Sequence, residues 1–166
     1  MQKFRLSDGS DIDSIGFGTY KITDDLTGSK AISIVKSALK AGYRYIDTAT
    51  LYENEREVGE AVRTSGLARE EIFVATKVPQ KCLGYEKTKA AIENSLKLLD
   101  IGYIDLLLIH WPLENPGDPE WKEKIQGSYK AIEEQIVAGN VKHPGLSNFL
   151  PHHIMAVMET ARIKPV

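Results

Sequence analysis

The sequence has little of several features that mark particular classes of protein. It has one cysteine among 166 residues, Cys82, so no disulfide can form within the chain, and it has no Cys and His pattern of a zinc site. No apolar run approaches the ~18 residues of a membrane-spanning helix, and the N-terminus lacks the apolar core of a signal peptide. The 21 Lys and Arg residues nearly balance the 23 Asp and Glu residues, which argues against a nucleic-acid or polybasic membrane surface. We therefore expect one cytoplasmic domain over residues 1–166, with no metal and no nucleic-acid or membrane partner.

Strand-like and helix-like patterns alternate along most of the chain. A hairpin is predicted over residues 3–12, with its turn at residues 7–10. The five strand-like runs that follow are Ser14–Thr19, Tyr43–Asp47, Ile72–Val78, Tyr103–His110 and Val141–Ser147. After each run, apolar residues recur three or four positions apart, as on one face of a helix. The third and fourth runs are apolar with little alternation, which is typical of parallel strands covered on both faces. The order of elements therefore predicts an α/β protein with a parallel sheet.

Two architectures fit this order, a doubly wound open sheet and a (β/α)8 barrel. No glycine-rich GxGxxG motif follows an early strand, because Gly16-Phe17-Gly18 continues without a third glycine, and this weakens the doubly wound alternative. A (β/α)8 barrel needs about 250 residues, and only five strand–helix units are found here. We therefore predict an incomplete TIM barrel that ends before strands six to eight, with residues 163–166 resembling the start of a sixth strand. Pro144, in the fifth run, would be tolerated best in an edge strand.

Polar residues end four consecutive strand-like runs. They are Asp47, Lys77, His110 and the pair Ser147 and Asn148, so positions 47, 77, 110 and 147 are separated by 30, 33 and 37 residues. Each separation is the length of one strand–helix unit. The carboxyl ends of the strands in a parallel barrel are where catalytic residues gather, so we expect these side chains to meet at one rim.

Each of these residues also has a structural interpretation. Lys77 is costly to bury without a partner, and Asp47 on the neighbouring strand would make a purely structural ion pair with it. Tyr52, in the loop after Asp47, would ordinarily be a packing residue, but a lysine cation beside it would make the phenol a stronger acid. His110 fits either a core histidine or a group that orients a substrate oxygen. Their joint occurrence favours a catalytic site. Asn54 followed by Glu57 predicts a capping box at the start of the second helix.

Several longer stretches resemble one enzyme family. They are Ile15–Lys21, Gly42–Ala49 continuing through Tyr52 to Gly59, Ile72–Val78, Leu98–Pro112 and Gly145–Phe149. On these motifs the chain is similar to the N-terminal portion of the aldo-keto reductases, most closely bacterial members similar to 2,5-diketogluconate reductases.

The resemblance implies NADPH-dependent reduction of aldehydes and ketones, with keto-sugars among the possible substrates. It assigns the catalytic roles to Asp47, Tyr52, Lys77 and His110, with Tyr52 as the general acid. The cofactor-binding residues that it implies are Thr19, Lys21, Asp47, Ser147 and Asn148, and those of the substrate pocket are Tyr20 and Trp111. In the family, most of the contacts that bind the adenosine phosphate come from the part of the barrel beyond residue 166.

Three functional alternatives remain open from the sequence. The chain is a carbonyl reductase, a catalytically silent binding or structural protein on the same scaffold, or an inactive fragment. An open sheet of five parallel strands also leaves two unpaired edges, so we expect that the 166-residue chain is not a catalytic monomer and either self-associates or is partly molten.

Overall fold

A computed structural model describes residues 2–22 and 28–166. The chain begins with an antiparallel hairpin of β1 (Lys3–Arg5) and β2 (Asp11–Asp13), in which Phe4 pairs with Ile12. Gly9 has a φ of 87° in the turn, a conformation that glycine adopts without steric cost. The predicted hairpin is therefore confirmed.

A sheet of five parallel strands follows the hairpin. Its strands are β3 (Phe17–Gly18), β4 (Tyr45–Asp47), β5 (Phe73–Val78), β6 (Ile104–Ile109) and β7 (Val141–Leu146). They lie side by side in chain order, each pairing with the next in parallel register. A doubly wound sheet reverses its strand order at a switch point, and this sheet has no reversal. The fold is therefore α/β, an incomplete barrel of five strand–helix units.

A helix follows each strand of this sheet. The helices are α1 (Gly28–Lys40), α2 (Glu55–Arg63), α3 (Tyr85–Leu99), α4 (Trp121–Val137) and α5 (Pro151–Met158). Short 3-10 turns cover Thr50–Tyr52, Arg69–Glu71 and Gln80–Cys82. The largest fully buried side chains include Ile46, Leu107, Ile92, Tyr129 and Ile132, which come from both strands and helices. The core therefore lies between the sheet and its helices, as expected for strands with little polar alternation.

The inward face of α5 differs from the sequence prediction. The pattern places Ile154, Val157 and Met158 on the inward face. Val157 is buried, but Ile154 and Met158 are each 39% exposed, and His153 and Ala156 are buried instead. The His153 ring lies 5.1 Å from the Trp121 ring of α4, measured between centroids. In a helix of eight residues that is apolar on most sides, periodicity does not define one face.

Strand β7 lies at an edge of the sheet within the described part of the chain. It pairs only with β6 there, which confirms that Pro144 lies in an edge strand. The Val166 amide donates to the Pro144 carbonyl oxygen at 3.0 Å, so the last residues run beside β7. The hairpin reaches the same region, because Asp8 Oδ2 lies 2.6 Å from His143 Nδ1 of β7.

An ion pair ties the strands together near their amino ends. Arg69 Nη2 lies 2.6 Å from Asp105 Oδ2, and the Val74 amide donates to the same oxygen at 2.9 Å. In barrels, polar residues at this end serve stability. Among the described residues, no helix is long and apolar enough to cross a membrane.

Candidate active site

Asp47 and Lys77 meet at the carboxyl ends of β4 and β5. Lys77 Nζ lies 2.7 and 2.8 Å from the two Asp47 carboxylate oxygens and donates to the Thr48 carbonyl oxygen at 2.8 Å. The Lys77 side chain is only 10% exposed, whereas that of Asp47 is 28% exposed. The pair therefore neutralises a nearly buried cation and leaves part of the carboxylate open at the rim.

Tyr52 lies beside the same ammonium group. Its phenol oxygen is 3.4 Å from Lys77 Nζ, and the ammonium lies 4.9 Å from the centre of the tyrosine ring. Tyr52 ends the short turn Thr50–Tyr52 and is half-buried. The phenol and the ammonium group are therefore in direct contact at the rim of the sheet.

His110 follows the last residue of β6 and faces Tyr52. The two ring centroids are 5.9 Å apart in an edge-to-face arrangement. Burial, together with the positive charge of Lys77, lowers the pKa of His110 below its usual value of 6.5, although Asp47 opposes this. His110 Nδ1 is buried and has no hydrogen-bond partner among the described residues. The imidazole is therefore favoured in its neutral form.

Ser147 and Asn148 follow β7 at the same end of the sheet. The Ser147 amide donates to the Ile109 carbonyl oxygen at 2.9 Å, which continues the pairing of β6 and β7. Asn148 has a φ of 61°, and its Nδ2 donates to the His110 carbonyl oxygen at 2.8 Å and to Ser147 Oγ at 3.0 Å. Asn148 is exposed, so its amide lies at the surface of the rim next to His110.

The first loop brings Tyr20 to the site and places Thr19 behind it. The Tyr20 ring is 63% exposed and lies 5.1 Å from the Tyr52 ring, measured between centroids. Thr19 is fully buried, and its hydroxyl lies 3.1 Å from the Asp47 carbonyl oxygen. Lys21 is exposed, with its Nζ 5.5 Å from the Tyr20 ring centre. Trp111, directly after His110, is 47% exposed.

Asn54 has a different role from the one that its local sequence predicts. Asn54 does begin α2, but its side chain makes no capping hydrogen bond, so the predicted capping box is wrong. Instead, the fully buried amide donates to the Thr19 carbonyl oxygen at 2.7 Å and accepts from the Thr48 hydroxyl at 2.7 Å. Thr19 is 35 residues away in the chain, so no local pattern could reveal this contact.

Glu55 was also missed. It is 2% exposed, and its carboxylate accepts from the Thr76 hydroxyl at 2.6 Å and from the Ser95 hydroxyl at 3.2 Å. Burial raises the pKa of Glu55, while these two hydrogen bonds act in the opposite direction. The only sequence signal was a carboxylate in the first turn of an amphipathic helix, which ordinarily indicates a solvated position.

Comparison with known proteins agrees with this geometry. The sequence profile of the Aldo/keto reductase family matches residues 14–166. The chain belongs to this family. It is 40% identical over 162 residues to a glyoxal reductase of Bacillus subtilis strain 168, an alignment that covers 98% of the chain and 55% of that relative.

Solved structures of aldo-keto reductases have the same fold. An aldo/keto reductase from Brucella melitensis superposes with a TM-score of 0.88 at 39% identity, over 99% of this chain and 60% of that one. A Bombyx mori aldo-keto reductase in complex with NADP gives a TM-score of 0.85 at 31% identity, over 99% of this chain and 56% of that one. The chain thus spans about half the length of the curated aldo-keto reductases that it matches.

Proposed function

We propose that this chain carries the catalytic residues of an NADPH-dependent reductase that converts aldehydes and ketones, including keto-sugars, to alcohols. One observation carries the proposal: Lys77 Nζ contacts the Asp47 carboxylate at 2.7 Å and lies 3.4 Å from the Tyr52 phenol oxygen. A structural ion pair needs only the first contact. The second contact places a proton-donating group beside a fixed cation at the rim of the sheet.

Tyr52 serves as the general acid in this proposal. Its phenol donates a proton to the oxygen of the carbonyl group as that oxygen becomes an alkoxide. The Lys77 cation stabilises the phenolate left behind, and Asp47 holds Lys77 in place through both carboxylate oxygens.

His110 orients the carbonyl oxygen. Because its pKa is lowered by burial and by Lys77, the imidazole is neutral near pH 7 and acts through a hydrogen bond rather than as an acid. The exposed Tyr20 ring lies next to the Tyr52 ring, and the exposed Trp111 directly follows His110. We assign both aromatic residues to the substrate pocket.

The side chains at the rim fit the nicotinamide end of NADPH. The open Asp47 carboxylate, the Ser147 hydroxyl and the Asn148 amide offer donors and acceptors suited to a ribose hydroxyl and a carboxamide. Lys21 and Thr19 complete the proposed cofactor set. Thr19 is fully buried and contributes through its hydrogen bond to the Asp47 carbonyl oxygen rather than by touching the cofactor. When bound, the nicotinamide supplies the hydride for the carbonyl carbon. Support for the cofactor also comes from the NADP complex of the Bombyx mori relative.

The cytoplasm is the proposed location of this activity. Cys82 is a free cysteine, so the fold uses no disulfide that would need an oxidising compartment.

Cofactor binding and turnover test the proposed function together. The protein, at the full length that its gene encodes, is titrated with NADPH by fluorescence and assayed for NADPH oxidation with glyoxal and other small aldehydes, ketones and keto-sugars. We expect saturable binding, turnover of at least some carbonyls, and a preference for NADPH over NADH. Preference for NADH would contradict the cofactor assignment alone. No binding at millimolar NADPH would instead favour a catalytically silent protein on this scaffold.

A further inference from the structure

Tyr52 lies on a short segment that is fixed at both of its flanks. The segment is the turn Thr50–Tyr52, followed by Glu53 with a φ of 54° and by the first residues of α2. A left-handed conformation is unfavourable for a residue with a side chain, so the surroundings must hold it. The two residues that follow, Asn54 and Glu55, have buried polar side chains whose hydrogen bonds go to residues of other elements.

Asn54 joins the segment to β3 and β4. Its Nδ2 donates to the Thr19 carbonyl oxygen, and its Oδ1 accepts from the hydroxyls of Thr48 and Thr19, at 2.7 and 3.3 Å. Thr48 directly follows Asp47, and its carbonyl oxygen also accepts from Lys77 Nζ. Asn54 therefore couples the segment to the strand ends that hold Asp47 and Lys77.

Glu55 joins the same segment to β5 and α3. It accepts from Thr76, the residue before Lys77, and from Ser95 of α3. Ser95 Oγ in turn lies 3.3 Å from Thr50 Oγ1, at the start of the turn that carries Tyr52. A chain of polar contacts thus runs from β5 through Glu55 and Ser95 back to the Tyr52 turn.

We infer that Asn54 and Glu55 are positioning residues that set the distance between the Tyr52 phenol and Lys77. This inference rests on the proposed role of Tyr52 as the proton donor. The Tyr52–Lys77 contact, at 3.4 Å, is the longest of the Lys77 hydrogen bonds, and it joins two elements that Asn54 and Glu55 hold together. Loss of the hydrogen bonds of Asn54 or of Glu55 lets the Tyr52 turn move relative to the end of β5, while Asp47 still holds Lys77.

Kinetics of substituted proteins at full length test the Asn54 anchor. Displacement of a catalytic group by about 1 Å costs up to about 100-fold in rate, so we expect Asn54→Ala to lower kcat about 10- to 100-fold. The dissociation constant for NADPH should stay within about twofold of wild type, and the pH profile of kcat should shift, because the phenol–ammonium distance sets how readily the proton leaves. Arg56→Ala, at an exposed position of the same helix, is the matched control and should keep wild-type kcat. Thr48→Val serves as a second variant should Asn54→Ala not fold. It removes the hydroxyl that donates to Asn54 but keeps the Asn54 amide, so it should lower kcat by a smaller factor than Asn54→Ala.

A pair of substitutions tests the Glu55 anchor. A glutamine at position 55 can accept from the Thr76 hydroxyl and donate to the Ser95 hydroxyl oxygen, while the Ser95 hydroxyl donates to Thr50. Glu55→Gln should therefore keep kcat within a few-fold of wild type. Glu55→Ala removes both contacts and should lower kcat as Asn54→Ala does. Equal kcat values for Glu55→Gln and Glu55→Ala would contradict the role of these hydrogen bonds. Wild-type kcat and an unchanged pH profile in both Ala variants would overturn the inference.

Hydrogen exchange separates this inference from the proposed function. The amides of residues 50–53 should exchange faster in Asn54→Ala and Glu55→Ala than in Arg56→Ala, whether or not the protein reduces carbonyls. Unchanged exchange rates of these amides would contradict the positioning role of Asn54 and Glu55, even if the protein is an active reductase. Faster exchange in the two Ala variants of a protein that has no reductase activity would support the positioning role of Asn54 and Glu55 and overturn the proposed function.

Discussion

At the scale of single residues, the site depends on one cation with two different neighbours. Asp47 supplies the charge that makes burial of Lys77 tolerable, and the Tyr52 phenol oxygen lies 3.4 Å from the same ammonium group. Both neighbours are reached because β4 and β5 are adjacent and the turn after β4 folds back over β5. Lys77 also affects His110, whose pKa it helps to lower.

We predict that His110 remains neutral at pH 6.5 in the folded protein. Its pKa lies below the unfolded value of 6.5, so between the two values the unfolded chain binds more protons, and the free energy of unfolding decreases as the pH falls through that range. An NMR titration of the imidazole nitrogens measures this pKa directly. Lys77→Met removes a nearby positive charge and should raise the His110 pKa. A wild-type pKa at or above 6.5, or no increase in Lys77→Met, would contradict the assigned cause.

At the scale of elements, α2 packs closely against the end of α3 at Gly59. Gly59 of α2 faces the Leu99 carbonyl oxygen at the end of α3, and a Cβ at position 59 would overlap that oxygen. Arg63, one turn further along α2, donates to the same oxygen at 2.6 Å. Only glycine allows the two helices to come this close, because a backbone carbonyl cannot move aside as a flexible side chain can.

Gly59→Ala should therefore destabilise the protein. Overpacking at a close contact costs about 1–3 kcal/mol, which for a protein of this size lowers Tm by several degrees. Thermal unfolding measures the change. Gly117→Ala is the control, because a Cβ there meets no atom within 4 Å, and its Tm should match wild type. Equal Tm values for the two variants would show that α2 moves away at little cost.

The elements were more predictable from the sequence than the contacts between them. Strands β5 and β6 were found within one or two residues, because uninterrupted apolar runs such as Ile104–Ile109 are a local property. Strand β3 was predicted over Ser14–Thr19 but is only Phe17–Gly18, since Ile15 and Gly16 are exposed and unpaired with β4. The rim residues were predicted because each one ends a strand. Asn54 was misread because its partner, Thr19, is remote in sequence and the local pattern favoured a cap.

At the scale of the whole molecule, the described chain has open edges. Within the described residues, β3 pairs only with β4, and β7 pairs with no strand but β6, although its Pro144 carbonyl oxygen accepts from the Val166 amide. Helix α5 and the residue before it also carry exposed apolar side chains, with Leu150 57%, Ile154 39%, Met155 68% and Met158 39% exposed. Unpaired strand edges and an apolar patch are features that promote association.

We therefore predict that the 166-residue chain self-associates through the β7 edge and the apolar surface of α5. Light scattering on the purified chain should give a mass above that of a monomer. Met155→Lys, in the centre of that surface, should shift the distribution towards monomer. Val137→Lys replaces an 84% exposed residue at the end of α4 and should leave it unchanged. A monodisperse monomer with sharp near-ultraviolet circular dichroism would contradict the prediction.

The most direct test of the central claim is the effect of Tyr52→Phe on carbonyl reduction. The substitution removes the phenol oxygen beside Lys77 and keeps the ring that contacts Tyr20 and His110. In the protein at the full length that its gene encodes, we predict a loss of about 100-fold or more in kcat, the size expected for removal of a general acid. NADPH binding, followed by fluorescence, should be unchanged. Tyr43→Phe, which keeps the ring packed against Phe17 away from the rim, should retain activity. Turnover by Tyr52→Phe within a few-fold of wild type would show that Tyr52 is not the proton donor.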